Sequence, residues 1–156
     1  MNNWFYNNNG VKKEYTLIEQ FPEGNNYGFI YKIYLPSTSQ YYIGKKILHN
    51  TTNVKLGKKE KKKLAEEKIG SGRPQSKKKV IKESNWLTYF GSNKELIRLI
   101  QEKGEDSFIR EIIHFCKDKK NLTYYEIKYQ MEYNVLIDPF SLNDNISGHY
   151  FRKDFQ

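Results

Sequence analysis

Two short runs rich in isoleucine and tyrosine, separated by a four-residue loop, constrain the fold of this chain more than any other feature of its sequence. The runs cover residues 28–35 and 40–48, and the loop Pro-Ser-Thr-Ser lies between them at residues 36–39. This arrangement is typical of a β-hairpin. One register pairs Leu35 with Gln40. In that register Tyr31 and Tyr42 lie on one face, whereas a shift of one residue would separate them.

Two helices and a strand are predicted in the second half of the chain. Ser92-Asn93-Lys94-Glu95 has the form of a capping box and predicts a helix that ends at Gly104. Residues 108–116 predict a strand. A second capping box at residues 123–126, Thr-Tyr-Tyr-Glu, predicts a helix that ends near Asp138. Its apolar stripe is Ile127, Met131 and Val135.

The order of these elements predicts an α+β fold in which helices flank a small mixed sheet. We interpret residues 1–26 as an N-terminal extension, with a strand at residues 15–21, and residues 27–156 as the main domain. A basic insertion interrupts this domain at residues 50–85.

The net charge of +9 arises from residues 55–82, which lie within that insertion. Residues 55–82 hold 12 basic and 3 acidic residues, whereas the rest of the chain carries 15 of each sign. Such a block favours a polyanion as partner, because each neutralised phosphate releases counterions. A solvated surface loop would have the same composition. The candidate DNA-binding residues are Lys58, Lys59, Lys61, Lys62, Lys63, Lys77, Lys78 and Lys79.

Composition argues against a disulfide-stabilised protein and against a membrane protein. The single cysteine, Cys116, lies in an apolar run, so we expect a core residue in a reducing compartment and no disulfide scaffold. No apolar stretch approaches 18 residues, and we therefore expect a cytoplasmic protein that does not bind a membrane.

The hairpin carries a recognisable pair of motifs. Phe29-Ile30-Tyr31 followed by Tyr42-Ile43-Gly44 resembles the paired motif of the GIY-YIG nuclease superfamily, although Phe29 stands where the family has glycine. The elements from residue 27 to residue 136 follow the order of the family. The run at residues 86–92 resembles a segment of phage-borne members, and it is also compatible with ordinary core packing.

The resemblance implies that Glu126 binds a divalent metal, one Mg²⁺ or Mn²⁺ per site. Magnesium keeps several waters and is often held by one or two carboxylates together with substrate phosphates. The alternative is that Glu126 only completes the capping box with Thr123. Glu132, on the same predicted helix, is a weaker candidate for the metal ligand.

The resemblance also implies a catalytic role for Tyr31 or Tyr42, with Tyr31 favoured. An ordinary phenol is protonated at neutral pH, so we expect a cation to favour the phenolate or to polarise a water. Lys45 directly follows the second motif. Lys46 would share a face with Tyr42 in a regular strand, so both lysines are candidates.

The arginine of the family is missing from its usual place soon after the second motif. Arg73, inside the basic insertion, is the first arginine after Gly44, and Arg98 is a weaker candidate. His49 could assist proton transfer. Asn143 and Asn145 loosely match a late asparagine of the family and are expected to fix a loop as hydrogen-bond donors.

Other nuclease classes fit less well. Glu126-Ile127-Lys128 spells the Glu-x-Lys of PD-(D/E)xK enzymes, but on a helix these side chains point about 200° apart. No cluster of histidines or carboxylates is visible for an HNH or two-metal enzyme. The sequence therefore predicts a metal-dependent endonuclease acting on double-stranded DNA, in a homing, restriction or degradation role and with a homo-oligomer left open. The alternative is a non-catalytic nucleic-acid-binding protein on the same scaffold.

Overall fold

A computed structural model describes residues 2–68 and 70–156 of the chain. These residues form two compact units. The first contains the chain up to Leu48 and again from Asn85 onward, and the second contains His49–Ser84. Within the described residues no helix is long and apolar enough to cross a membrane.

The first unit is built on a five-stranded mixed sheet, as the predicted α+β class requires. The strands, numbered in chain order over both units, are β1 (Trp4–Asn8), β2 (Val11–Tyr15), β3 (Gly28–Leu35), β4 (Gln40–Ile47), β5 (His49–Lys55), β6 (Lys77–Glu83), β7 (Ile109–Cys116), β8 (Asn145–Ile146) and β9 (Tyr150–Phe151). The sheet order is β2-β1-β7-β3-β4, so β4 is an edge strand. Only the pairing of β1 with β7 is parallel.

In the described part of the chain, three α-helices accompany the strands. They are α1 (Lys58–Glu67), α2 (Lys94–Lys103) and α3 (Lys119–Glu132). Buried residues of α2 pack with one face of the sheet, in a cluster that contains Trp4, Tyr31 and Trp86. Leu122 of α3 packs with the other face, in a cluster that contains Ile43 and Cys116. The predicted core role of Cys116 is confirmed, since its side chain is fully buried.

The predicted hairpin register is confirmed. Leu35 pairs with Gln40, and the loop between β3 and β4 has four residues. Tyr31 lies opposite Gly44, two residues beyond Tyr42, so both tyrosines project from one face. Successive side chains of β3 and β4 pack alternately in the two hydrophobic clusters. Burial therefore specifies this register, as the length of the loop does.

The strand predicted at residues 15–21 is wrong. Strands β1 and β2 precede it, and Ile18–Gln20 form a 3-10 turn. The turn is fixed by Gln20, whose Oε1 accepts the N–H groups of Thr16 at 2.7 Å and Leu17 at 2.8 Å. Trp4 of β1 is fully buried, so residues within the range assigned to an N-terminal extension contribute to this core.

Both predicted helix starts are wrong, because a different residue from the predicted one caps each helix. Asn93, not Ser92, caps α2, because its Oδ1 accepts the N–H of Leu96 at 2.9 Å. Asp118 caps α3 through the N–H of Asn121 at 2.8 Å, so that helix begins at Lys119. An aspartate is among the strongest N-cap residues and stabilises the earlier start.

The predicted end of α3 is wrong as well, and its predicted apolar stripe is confirmed for Ile127 and Val135, which pack in the cluster of Ile43, but not for Met131. The helix ends at Glu132, and Met131 is 50% exposed. The buried side chains of α3 are Leu122 and Gln130, eight residues apart. Glu126 is midway between them, so these three residues share one helix face.

The second unit is a hairpin with a helix between its strands. Strands β5 and β6 pair antiparallel from His49 opposite Glu83 to Lys55 opposite Lys77. Glu60 of α1 accepts the N–H of Gly57 at 3.2 Å and pairs with Lys78 at 2.7 Å. Nearly all side chains of this unit are exposed.

Candidate active site

A polar cavity of about 540 Å³ opens beside the edge strand β4. Tyr42 and Lys45 of β4 line it, together with Glu126 and Gln130 of α3. The remaining lining residues come from the start of α2 and from the loop around β8, and they are Ser92, Asn93, Lys94, Asn143, Asp144, Asn145 and Ser147. The cavity thus gathers side chains from four separate segments of the first unit.

Glu126 lies in this cavity with the ammonium group of Lys45 beside it. Its Oε2 is 2.8 Å from the Nζ of Lys45, and its side chain is 17% exposed. The Lys45 ammonium also lies 3.5 Å from the Thr123 hydroxyl. Since Asp118 caps α3, Glu126 is in the middle of the helix, and the alternative that it completes a capping box is wrong. Glu132 instead pairs with Lys128 at 3.6 Å and does not line this cavity.

The two candidate lysines lie on opposite faces of β4. Lys46 shares a face with Tyr42, as strand parity predicts, and its Nζ lies 4.0 Å from the ring centroid of Tyr89. It also donates to the Asn85 Oδ1 at 2.7 Å. Lys45 projects toward α3 and reaches Glu126. Both Tyr42 and Lys45 can line one cavity because β4 is an edge strand.

Tyr31 is enclosed rather than open to this cavity. It is 1% exposed, and its ring packs against that of Tyr89 with the centroids 6.0 Å apart. A Cβ on Gly44 would lie 2.6 Å from its hydroxyl oxygen and 2.8 Å from Cε1 of Tyr42. The glycine of the second motif therefore leaves the space in which both tyrosine rings pack. Phe29, the departure from the first motif, is fully buried against Trp4 at a ring distance of 5.0 Å.

The pKa values of Tyr31 and Tyr42 are raised, whereas a nearby lysine was expected from the sequence to favour the phenolate. Burial raises the pKa of Tyr42 to about 12, and the nearby Glu126 carboxylate adds to the rise. Burial also raises the pKa of Tyr31 well above its ordinary value, with a further contribution from Tyr42. The Lys45 ammonium is held on Glu126 and does not outweigh these effects. Both phenols are consequently protonated at neutral pH.

The candidate arginines do not complete this cavity. Arg98 is exposed on α2 and pairs with Glu95 at 2.7 Å and Glu102 at 2.9 Å. Arg110 is buried and donates to backbone carbonyls of Asn2, Leu87 and Tyr89. Arg73 and His49 belong to the second unit, and their part in the site stays a prediction.

Asn143 fixes its loop to β4, as predicted. Its Nδ2 donates to the Ile43 carbonyl at 2.8 Å, and its Oδ1 accepts the Ile43 N–H at 3.0 Å. Asn145 serves as an acceptor rather than a donor, for the N–H of Gly148 at 2.9 Å. The loop that carries Asp144 into the cavity is therefore anchored at the edge strand.

Reasoning from the sequence missed several residues of the site, among them Lys94, Gln130 and Tyr89. Lys94 is an exposed cation of the cavity, and its place directly after the Asn93 cap was available as a signal. Gln130 lies one helical turn after Glu126, which was a second signal. Tyr89 had no local signal, because only the fold brings it to Tyr31.

The candidate DNA-binding lysines are exposed in the second unit. Five lie on α1 (Lys58, Lys59, Lys61, Lys62 and Lys63), and three lie on β6 (Lys77, Lys78 and Lys79). Lys77 is directly opposite Lys55, and among the described residues no carboxylate pairs with either. Like charges in this position are unfavourable unless an anion lies nearby.

The cavity fits a hard divalent cation with few protein ligands. Within residues 2–68 and 70–156 no three carboxylate, histidine or cysteine side chains converge as a complete metal site. A single well-placed carboxylate is compatible with Mg²⁺, which retains waters and takes phosphate oxygens from its substrate. The oxygen-rich lining supplied by Glu126, Asp144 and Gln130 agrees with that preference.

Comparison with known proteins identifies a protein family. The family described as "Putative endonuclease segE, GIY-YIG domain" matches residues 4–153. Neither the curated proteins nor the solved structures gave a significant match to the chain. The family match extends over nearly the whole sequence, including both motif tyrosines and Glu126.

Proposed function

The chain belongs to this GIY-YIG endonuclease family, and on that premise we propose that it is a divalent-metal-dependent endonuclease that hydrolyses phosphodiester bonds of double-stranded DNA. The observation that carries the proposal is the mostly buried Glu126 carboxylate, paired with Lys45 at 2.8 Å in a cavity that Tyr42 also lines. In such a cavity a carboxylate can hold a metal, a cation can stabilise phosphate charge, and a phenol can orient a water or the phosphate, so the three groups suit phosphodiester hydrolysis.

Glu126 is the residue that would hold the metal, Mg²⁺ or Mn²⁺. When bound, such an ion polarises a phosphate oxygen as a Lewis acid. The Lys45 ammonium neutralises the Glu126 carboxylate at 2.8 Å in the metal-free protein. Because a phosphate would compete for the same ammonium, Lys45 can pass from the carboxylate to the substrate and offset its charge.

Tyr42 acts in its protonated form. Its pKa of about 12 makes it a poor general base at neutral pH, but its hydroxyl can donate a hydrogen bond. We assign to it the orientation of the attacking water or of the phosphate. Tyr31 packs against Tyr89 in the core and supports the position of Tyr42, since the ring centroids of Tyr31 and Tyr42 are 6.2 Å apart.

Lys94 takes the role that the missing arginine has in the family. It lies in the first turn of α2, where the backbone N–H groups also favour an anion. Lys94 and Lys45 line the same cavity from different elements. A phosphate bound there would have a cation from each side.

We also propose that the second unit is an insertion that binds the phosphate backbone of DNA. Its lysines make phosphate contacts of the kind that fix position without reading sequence. The protein would act in the cytoplasm, where Cys116 stays reduced and DNA is available.

Supercoiled plasmid incubated with the full chain tests this function. We expect nicked or linear product with Mg²⁺ and intact plasmid with excess chelator. Retention of the plasmid by the protein without any metal-dependent cleavage would favour the non-catalytic binding protein instead.

A further inference from the structure

Gln130 is a buried amide on the same helix face as Glu126. It is 4% exposed and follows Glu126 by four residues, which places the two side chains next to one another on α3. Both residues line the cavity beside β4. Gln130 is therefore in position to contribute to whatever Glu126 binds.

Only one end of the Gln130 amide has a partner. Its Nε2 donates to the Ile43 carbonyl at 3.1 Å, which leaves Oε1 as the free acceptor. That oxygen is buried and has no hydrogen-bond partner among the described residues. Buried polar atoms are almost always satisfied, so an orphaned acceptor requires an explanation such as an ion or a bound water.

The surroundings of Gln130 favour a ligand over a packing defect. Two other buried side-chain atoms lack partners in the described part of the chain, Asn3 Oδ1 and Arg110 Nε, but neither residue lines the Glu126 cavity. The Ile43 carbonyl also accepts from Asn143 Nδ2 at 2.8 Å. The Ile43 carbonyl thus has a second donor besides Gln130, and the bond to Ile43 does not account for the buried Oε1.

We propose that Gln130 Oε1 is a second oxygen of the divalent-cation site that Glu126 anchors. Amide carbonyl oxygens and carboxylates are the ligands of hard divalent cations, either directly or through a water of the ion. The inference rests on the proposed metal dependence, and it adds a neutral oxygen to a site that otherwise has one clear carboxylate. Gln130 thereby positions the cation without adding charge to it.

Binding of Mn²⁺ to the full chain, followed by the electron paramagnetic resonance of the free ion and without DNA, tests this role. We expect Gln130→Met to weaken Mn²⁺ binding about 10-fold, as is typical when a supporting group of a metal site is lost. Gln130→Glu is the matched control, because it also loses the Nε2 donor but keeps an oxygen. Its Mn²⁺ affinity should equal or exceed that of the wild type.

The outcomes separate the two proposals. Wild-type affinity in Gln130→Met, or equal weakening in Gln130→Met and Gln130→Glu, would overturn the role of Oε1. Glu126→Gln should lose the tight site in the same titration. If it binds Mn²⁺ as the wild type does, or if the wild type binds none, the metal site itself is misassigned and both proposals fail. Thermal melting of each variant establishes that it is folded.

Discussion

Tyr31 and Tyr42 form a pair in the motif but occupy different environments. Tyr31 is 1% exposed and packs against Tyr89, whereas Tyr42 lines the cavity that contains Glu126. A hydroxyl that contacts substrate must be reachable from the cavity. We therefore assign the direct role to Tyr42, although the family resemblance favours the first-motif tyrosine.

Tyr42→Phe should lower the rate of plasmid cleavage by roughly 100-fold, the lower end of what a positioned acid-base group contributes. The aromatic packing remains, so the melting temperature should change little. Tyr31→Phe is the matched control, because it removes a buried hydroxyl and should cost about 0.5 to 1.5 kcal/mol of stability. Its rate should fall less than that of Tyr42→Phe under single-turnover conditions. The reverse order of rates would return the direct role to Tyr31.

The raised pKa of Tyr42 also predicts a pH dependence of stability. Its ordinary value is near 10, and in the folded protein it is about 12. Between these values the unfolded chain has lost the proton and the folded chain keeps it, so the free energy of unfolding falls as pH rises. Below pH 10 the contribution is complete.

In Tyr42→Phe the loss of unfolding free energy between pH 10 and 12 should be smaller than in the wild type by about 2 kcal/mol. Each unit of pKa shift corresponds to about 1.4 kcal/mol. Denaturant unfolding at several pH values measures it. The variant and the wild type should have the same pH dependence below pH 9. Identical slopes above pH 10 would mean that Tyr42 is more accessible to water than its position indicates.

Among the elements, the hairpin was predictable from sequence and the helix starts were not. Alternating burial and a four-residue loop specify one register for β3 and β4. Ser92 and Asn93 are adjacent and both can cap a helix, so local sequence does not decide between them. Likewise Thr123 fits a capping box, but Asp118 caps α3 earlier.

The candidate site was also predictable only in part, because several of its contacts depend on tertiary packing. Glu126 and the motif tyrosines came from the family resemblance. The ion pair of Glu126 with Lys45 depends on which face of β4 meets α3, and the contact of Tyr31 with Tyr89 depends on tertiary packing. Neither follows from spacing along the chain.

Asn93→Ala should destabilise the first unit by about 1 kcal/mol, because it removes the acceptor of the Leu96 N–H. Ser92→Ala is the matched control at the adjacent position and should be nearly neutral, since Ser92 does not cap α2. Chemical denaturation of both variants measures the difference. If Ser92→Ala were the more destabilising of the two, the helix would begin one residue earlier.

At the level of the whole molecule, charge is divided between the two units. The segment from Lys55 to Lys82 carries the full net charge of +9, whereas the remainder is balanced. The first unit holds Glu126, Lys45 and Tyr42 in its cavity, and the second unit holds the candidate DNA-binding lysines of α1 and β6. This division predicts that binding strength and cleavage chemistry can be altered separately.

Neutralising Lys58, Lys59, Lys61, Lys62 and Lys63 together, each to Gln, should weaken DNA binding for all sequences alike. Each lost phosphate contact should reduce the slope of log affinity against log salt by roughly 0.9. Neutralising five lysines of the first unit, Lys12, Lys13, Lys117, Lys119 and Lys120, is the matched control and should leave the slope unchanged. Equal effects of the two sets, in fluorescence anisotropy titrations, would show that net charge alone matters.

The most direct test of the account is the cleavage rate of Glu126→Gln with Mg²⁺, measured beside its DNA affinity. The substitution removes the carboxylate charge beside Lys45 but keeps the size of the side chain and its place on α3. We predict no detectable cleavage at a DNA affinity equal to or above that of the wild type. Cleavage at the wild-type rate would contradict the assignment of Glu126 as the metal ligand.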